Sequence, residues 1–192
     1  IQILSSLAFN FFINKSNINL EGINNIDQTD IGNAEILGYK IKHLGLSEVE
    51  NGKLIQRVHP CLIKKESQIS NVNGVLNAVI IEGKPIGKFV LKGEGAGPGP
   101  TTSALVSDIS SVLRGNIKFP FSVSHSNRKK IKSLDLSNKI FSSYIRLDVI
   151  DKKGVLSSIT KIMSKNKISV KRIIQKPFKG KKFASIVIVS HK

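Results

Sequence analysis

Apolar side chains along this chain follow two rhythms, and the change between them divides it in two. Residues 1–14 carry Ile1, Leu4, Leu7, Ala8 and Phe11 at helical spacing, which predicts a helix with that stripe turned inward. Asn14 to Asn19 is polar and turn-like, and Leu20-Glu21-Gly22-Ile23 suits a short extended piece. Thr29-Asp30 offers an N-cap for a helix running to Leu37, with Ile31, Ala34 and Leu37 buried and Gly38 as its stop. Tyr39 to Leu46 alternates as a strand, and further strands are expected at Leu54–Val58, Cys61–Ile63, Asn77–Ile81 and Ile86–Leu91. Pro60 belongs at a strand end or a bulge. Glu82-Gly83-Lys84-Pro85 has hairpin chemistry, with Gly83 able to take positive φ. Gly93 to Pro100 then reads as a loop. After it, Thr101 or Thr102 caps a helix through Arg114 that buries Ala104, Leu105, Ile109 and Val112 or Leu113.

The last fifty residues have a shorter beat. Tyr144–Val149 alternates, with Ile145, Leu147 and Val149 on one face. Asp151-Lys-Lys-Gly154 is a turn, and Val155–Asn166 is a helix with Val155, Ile159, Ile162 and Met163 inward. Ile168–Gln175 is a second strand, Pro177–Lys182 a turn and Phe183–Val189 a third strand, giving the order β-α-β-β. The predicted class is therefore α/β: a mixed-sheet α+β part over residues 1–115, a basic, weakly periodic linker over 116–142, and a smaller, incomplete βαββ unit over 143–192. The chain opens inside a helical pattern and not on Met, which suggests a piece of something longer.

Composition changes this picture little. No run of about 18 apolar residues is present to span a bilayer, so no membrane association is expected. The net charge of +17 invites a nucleic-acid reading. The lysines are dispersed, however, and aromatic residues are 6% with no Trp, which leaves few platforms for stacking bases, so no nucleic-acid partner is expected. Lone Cys61 excludes an internal disulfide and fits a reducing cytoplasm.

Two turns could carry chemistry. Gly93, Gly95, Gly97 and Gly99 let the backbone approach a ligand closely, and the following helix aims its positive end at the same place, a setting for a dinucleotide or its nicotinamide carboxamide. The G-x-G-x-G spacing departs from the dinucleotide-binding fingerprint, and a tight strand-to-helix turn accounts for the same residues. The turn at Asp151-Lys-Lys-Gly154-Val155-Leu156 could receive the carboxylate of a small amino acid, or be a plain βα connection. His59, His125 and His191 lack a second ligand at metal spacing, so no metal is expected. Cys61, in an apolar strand, reads as packing. Asp30 and Glu35 suit capping and solvated faces.

Several stretches together resemble the homoserine dehydrogenase family. They are Ile1-Gln-Ile-Leu-Ser-Ser-Leu-Ala-Phe9; Glu21-Gly22-Ile23, Asp30-Ile31 and Leu37-Gly38-Tyr39; Arg57-Val58-His59-Pro60; Val72-Asn73-Gly74-Val75-Leu76-Asn77-Ala78-Val79; and Gly93-x-Gly95-Ala96-Gly97 with Pro100-Thr101 and Ser103-Ala104. The tail resembles an ACT domain, a small-ligand module. The resemblance implies NADP- or NAD-dependent interconversion of aspartate 4-semialdehyde and homoserine on the route to threonine and methionine, in a cytoplasmic homo-oligomer. It places the family's catalytic lysine just before Ile1, so no catalytic residue is expected in this chain and the chain alone should be inactive. Gly97, with Gly95 as a weaker neighbour, matches the cofactor-contacting glycine. Asp151, Gly154, Val155 and Leu156 match the effector side of the tail, with threonine as the implied effector. The alternative is a non-catalytic amino-acid-binding regulatory module.

Overall fold

A computed structural model describes residues 1–12, 18–116, 118, 121, 123–136, 139–177 and 182–192. Most of the expected turns at 14–19 and 177–182 lie outside these residues. The first part opens with α1 (Gln2–Phe9), β1 (Phe11–Phe12) and β2 (Asn19–Leu20). It continues through α2 (Gln28–Ile36), β3 (Tyr39–Glu50), β4 (Lys53–Lys64), β5 (Leu76–Gly83), β6 (Gly87–Glu94) and α3 (Pro98–Leu113). β7 (Lys129–Lys130) follows, and then β8 (Tyr144–Ile150), α4 (Val155–Lys165), β9 (Val170–Pro177) and β10 (Phe183–Ser190). The class is α/β with small sheets. The mixed sheet is confined to β2-β4-β3, and β5-β6 stands as its own two-stranded sheet.

α1 turns its hydroxyls inward, not its apolar stripe. Ser5 and Ser6 are buried while Leu4 and Leu7 are each 48% exposed. The surface facing α1 is polar: Ser5 Oγ bonds Ser47 Oγ at 2.8 Å and accepts from Gln56 Nε2 at 2.7 Å. The helix stops at Asn10, in the left-handed region, where its N–H reaches Ser6 O.

α2 is capped by Asp27, two residues earlier than Thr29. Asp27 has extended backbone, as an N-cap must, and its carboxylate accepts from the Asp30 N–H at 3.0 Å. Asp30, at the third helical position, returns the bond to the Asp27 N–H at 3.2 Å, completing a capping box. Ala34 and Leu37 are buried as expected, but Ile31 is 40% exposed.

β3 and β4 form one long hairpin from Tyr39↔Lys64 to Glu50↔Lys53, turning at Asn51-Gly52, both at positive φ. The two strand segments expected around Pro60 are therefore a single strand, with Pro60 in mid-ladder opposite His43. The reason lies in strand geometry. Val58 O faces β2, accepting from the Glu21 N–H at 2.8 Å, and residues two apart point their backbone groups to the same side. Pro60 therefore points its missing donor past the end of β2, where no ladder bond is required. In the β5–β6 hairpin, positive φ falls on Gly87 instead of Gly83.

In the C-terminal unit β10 lies between β8 and β9, antiparallel to both. Ile186 and Ile188 pack with Met163, Val155 and Ile159 under α4, while Val187 and Val189 face the other way onto Ala34, Leu37 and Tyr39. Ile162 is exposed, against expectation, because the sheet covers only one side of α4. The sheet is thus covered on its second face by α2 and β3. A polar rim closes the joint: Tyr144 OH donates to Asp30 Oδ1 at 2.7 Å, Arg146 pairs with Asp27 at 2.7 Å and Asp30 at 3.0 Å, and Lys176 Nζ donates to Asn33 Oδ1 at 2.7 Å.

The described residues between the two parts make contacts with the first part. β7 pairs in parallel with β1, and Leu54 exchanges backbone bonds with Lys132 and Leu134. Arg128 lies over the rings of Phe12 and Phe121 while bonding Phe11 O, and Lys139 pairs with Glu48 and Glu50.

Candidate functional site

The glycine turn joins β6 to α3, and it is shorter than its sequence suggests. β6 runs through Glu94, and α3 begins at Pro98, so Gly99 and Pro100 already belong to the helix. Only Gly95, Ala96 and Gly97 connect them. The N-cap is Gly97, not Thr101 or Thr102, because Pro98 at the first helical position needs no N–H and brings a φ already suited to the helix. The Thr101 N–H closes the first helical bond, to Gly97 O at 3.2 Å.

The glycines meet different requirements. A Cβ on Gly95 would overlap the side-chain amide of Asn77, with Asn77 Cγ at 2.8 Å, so a larger residue there would push that exposed amide aside. Gly97 has φ 122 and ψ 162, a region essentially reserved to glycine, yet a Cβ there would meet nothing nearer than Pro100 Cδ at 3.7 Å. Gly97 is thus bound by its backbone and open on its surface.

Open N–H groups are fewer than a helix start usually offers. Pro98 and Pro100 have none, and Thr101 is spent inside the helix. The N–H groups of Gly97 and Gly99 remain, with no backbone acceptor among the described residues. They coincide with the positive end of the helix dipole. The turn 93–99 is exposed throughout. The apolar side of α3 is exposed too: Leu105, Ile109, Val112 and Leu113, expected in a core, are 59%, 58%, 67% and 81% accessible. No described part of this chain covers them.

The second turn, Asp151 to Gly154, leads from β8 into α4. Gly154 caps α4 at φ 90, the Asp151 N–H donates to Lys182 O at 2.9 Å, and the Ser158 N–H begins the helix on Gly154 O. Val155 points into the core beneath α4, whereas Leu156 is 37% exposed beside the turn. No hydrogen bond or core cluster among the described residues joins this turn to the glycine turn.

The remaining candidates resolve into structural parts. His43 Nε2 bonds Glu21 O at 2.9 Å, and His59 Nδ1 lies 2.9 Å from Pro60 O. Burial pushes the Cys61 thiol above its usual range, opposed by nearby Arg57, so Cys61 is a packed thiol and not an activated one. Among the described residues no group of three His, Cys, Asp or Glu is gathered for a metal. No described helix is long and apolar enough to cross a membrane. The network that sequence reasoning missed is the α2 cap. Hydrogen bonding from Arg146, with that from the Asp30 N–H, lowers the Asp27 carboxyl to about 2. Burial and donation to Asp30 raise Tyr144 to about 12. The D-x-x-D spacing of Asp27 and Asp30 was the signal for the cap, but nothing local announces its partners on β8.

Comparison with known proteins gives a consistent result. Residues 1–110 match the model of a family described as homoserine dehydrogenase, and residues 143–192 match that of the ACT domain. The homoserine dehydrogenase of Neisseria gonorrhoeae is 36% identical over 198 residues, covering 100% of this chain and 45% of its own length. That of Helicobacter pylori is 34% identical, covering 98% of this chain and 44% of its own length. The crystal structure of a homoserine dehydrogenase from Thiobacillus denitrificans superposes with a TM-score of 0.83 at 33% identity, covering 99% of this chain and 44% of that one. This chain therefore spans less than half the length of the relatives it matches.

Proposed function

This chain belongs to the homoserine dehydrogenase family, and on that premise we propose that it contributes one wall of an active site interconverting aspartate 4-semialdehyde and homoserine with NADPH or NADH. The observation that carries the reading is the start of α3. Gly97 holds a backbone only glycine adopts, its surface is open, and the N–H groups of Gly97 and Gly99 have no backbone acceptor among the described residues. Such a place fits a polar, planar carboxamide: Gly97 and Gly99 would donate to its oxygen, and the helix dipole would favour electron density there. Bound nicotinamide supplies the hydride. The residues of this chain orient the ring, and the exposed apolar side of α3 offers a surface on which a dry neighbouring domain can close. On this reading the proton donor, and the carboxylates that would hold the substrate's ammonium, lie outside this chain. On this reading the chain by itself does not turn over.

The test uses the whole gene product, assayed for NAD(P)H oxidation by aspartate semialdehyde. Gly97→Ala forces a Cβ into a region costing about 1–3 kcal/mol, so it should raise the cofactor KM while the semialdehyde KM changes little. A gene product that oxidises neither cofactor with this substrate rules the reading out. For the tail, the exposed Leu156 and the Gly154-capped start of α4 support an amino-acid effector seat at Asp151–Leu156, for which threonine is the first ligand to try. A cytoplasmic homo-oligomer completes the proposal: Ile81, Phe89 and Leu91 on the β5–β6 hairpin are exposed apolar groups suited to a second copy, which sedimentation would reveal.

A further inference from the structure

Two short segments share one edge of β4: β2 pairs near Val58, and residues 132–134 pair at Leu54. Where they part, a cavity of about 720 Å³ opens, within the range of small-molecule sites. One wall is β4, with Gln56, Arg57 and His59; the other is formed by residues 134–136 and 141–142, with Asp135 and Phe141; Glu21 stands at the β2 end.

Arg57 is the unusual member. Its side chain is half-buried and its guanidinium lies 4.2 Å from the Phe141 ring centre, a cation–π contact that holds the cation against the ring. No carboxylate among the described residues lies within ion-pair distance of it, and its Nε is enclosed without a partner. A half-buried guanidinium held against a ring, lining a cavity and without a counter-ion among the described residues, is suited to a planar carboxylate bound through its fork. The lining decides what else the ligand carries. Glu21 and Asp135 put two carboxylates around the same space, which disfavours phosphate and favours an ammonium group. Leu54, Leu134 and Phe141 supply apolar surface for a small side chain.

We propose that this cavity binds a free amino acid, its carboxylate on Arg57 and its ammonium toward Glu21 and Asp135. The site is separate from the seat at Asp151–Leu156 and does not depend on the dehydrogenase reading. Its two walls belong to β4 and to the stretch that enters β8, with Ser142 two residues before Tyr144. Occupancy therefore ties that stretch to β4 and favours the docked C-terminal unit.

The experiment is thermal unfolding and calorimetric titration of the whole gene product with each common L-amino acid, with the corresponding amines lacking the carboxylate, and with inorganic phosphate. At least one amino acid should raise the unfolding midpoint, while its amine and phosphate should not. Arg57→Met should weaken that amino acid about tenfold or more, since a charge-assisted fork is lost. Asp151→Ala should leave it unchanged. Arg57→Lys and Phe141→Leu, which keep the cation but lose its fork or its platform, should also weaken it and serve should Arg57→Met not fold. The proposal is overturned if no amino acid binds, if phosphate binds equally well, if Asp151→Ala abolishes binding, or if the folded Arg57 and Phe141 variants bind undiminished.

Discussion

Gly95 and Gly97 are glycines for different physical reasons, and substitution separates them. At Gly95 the obstacle is a neighbour, Asn77. Gly95→Ala should cost about 0.5–1.5 kcal/mol, because the exposed Asn77 amide can swing aside, and Asn77→Ala in the same chain should recover most of it. Denaturant midpoints for the four-member cycle check this; no recovery means the constraint lies in the backbone. Asp27 makes a second residue-scale prediction. Its carboxyl falls from the usual 3.8 to about 2, chiefly through Arg146. A lowered folded value means stability that is present above pH 3.8 and drains away as pH falls toward about 2. Asp27→Asn should remove that part of the acid limb. Tyr144 acts in the opposite range: its folded value, raised to about 12, gives stability complete below pH 10 and lost as pH climbs through about 12.

Elements obey their own spacing, but their faces answer to neighbours. The β-α-β-β order of the tail is legible because alternation in Tyr144–Val149 and Phe183–Val189 and helical spacing in Val155–Met163 are local patterns. The bounds differ by a few residues, as at β9, and the turn chemistry at Gly154 reads directly. The faces of α1, α3 and α4 are less legible. α1 buries serines because Ser47 and Gln56 face it, and α3 buries nothing among the described residues. Substitution should report the contrast. Ile188→Ala, in the strand buried on both faces, should cost about 2–5 kcal/mol, whereas Leu105→Ala should stay within about 0.5 kcal/mol in this chain. Equal losses would mean that α3 has a partner within the chain.

Across the whole molecule, the two parts share one core cluster. Val187 and Val189 of the tail pack on Ala34, Leu37 and Tyr39, and Asp27, Asp30 and Asn33 bond Tyr144, Arg146 and Lys176 around them. The stretch expected as a linker is pinned at Arg128, at Lys132 and Leu134 through Leu54 of β4, and at Lys139. Unfolding should therefore be a single transition, and Val187→Ala should lower the midpoint seen by a probe on β3 as much as by one on β8. Two separated transitions would show that the joint contributes little.

The order of side chains by itself determines the sequence of the main helices and strands and which family's blocks the chain carries, since both depend on residues near one another. It determines the glycine turn as a feature but not its length, because the two prolines that look like breakers are well placed in a first helical turn. Tertiary structure alone decides that Asp30 serves Tyr144, 114 residues away, that Pro60 can sit inside a strand, and that Arg57 faces a cavity with no carboxylate partner among the described residues. Burial and charge pairing depend on what arrives from distant parts of the chain, and spacing along the chain does not encode that arrival.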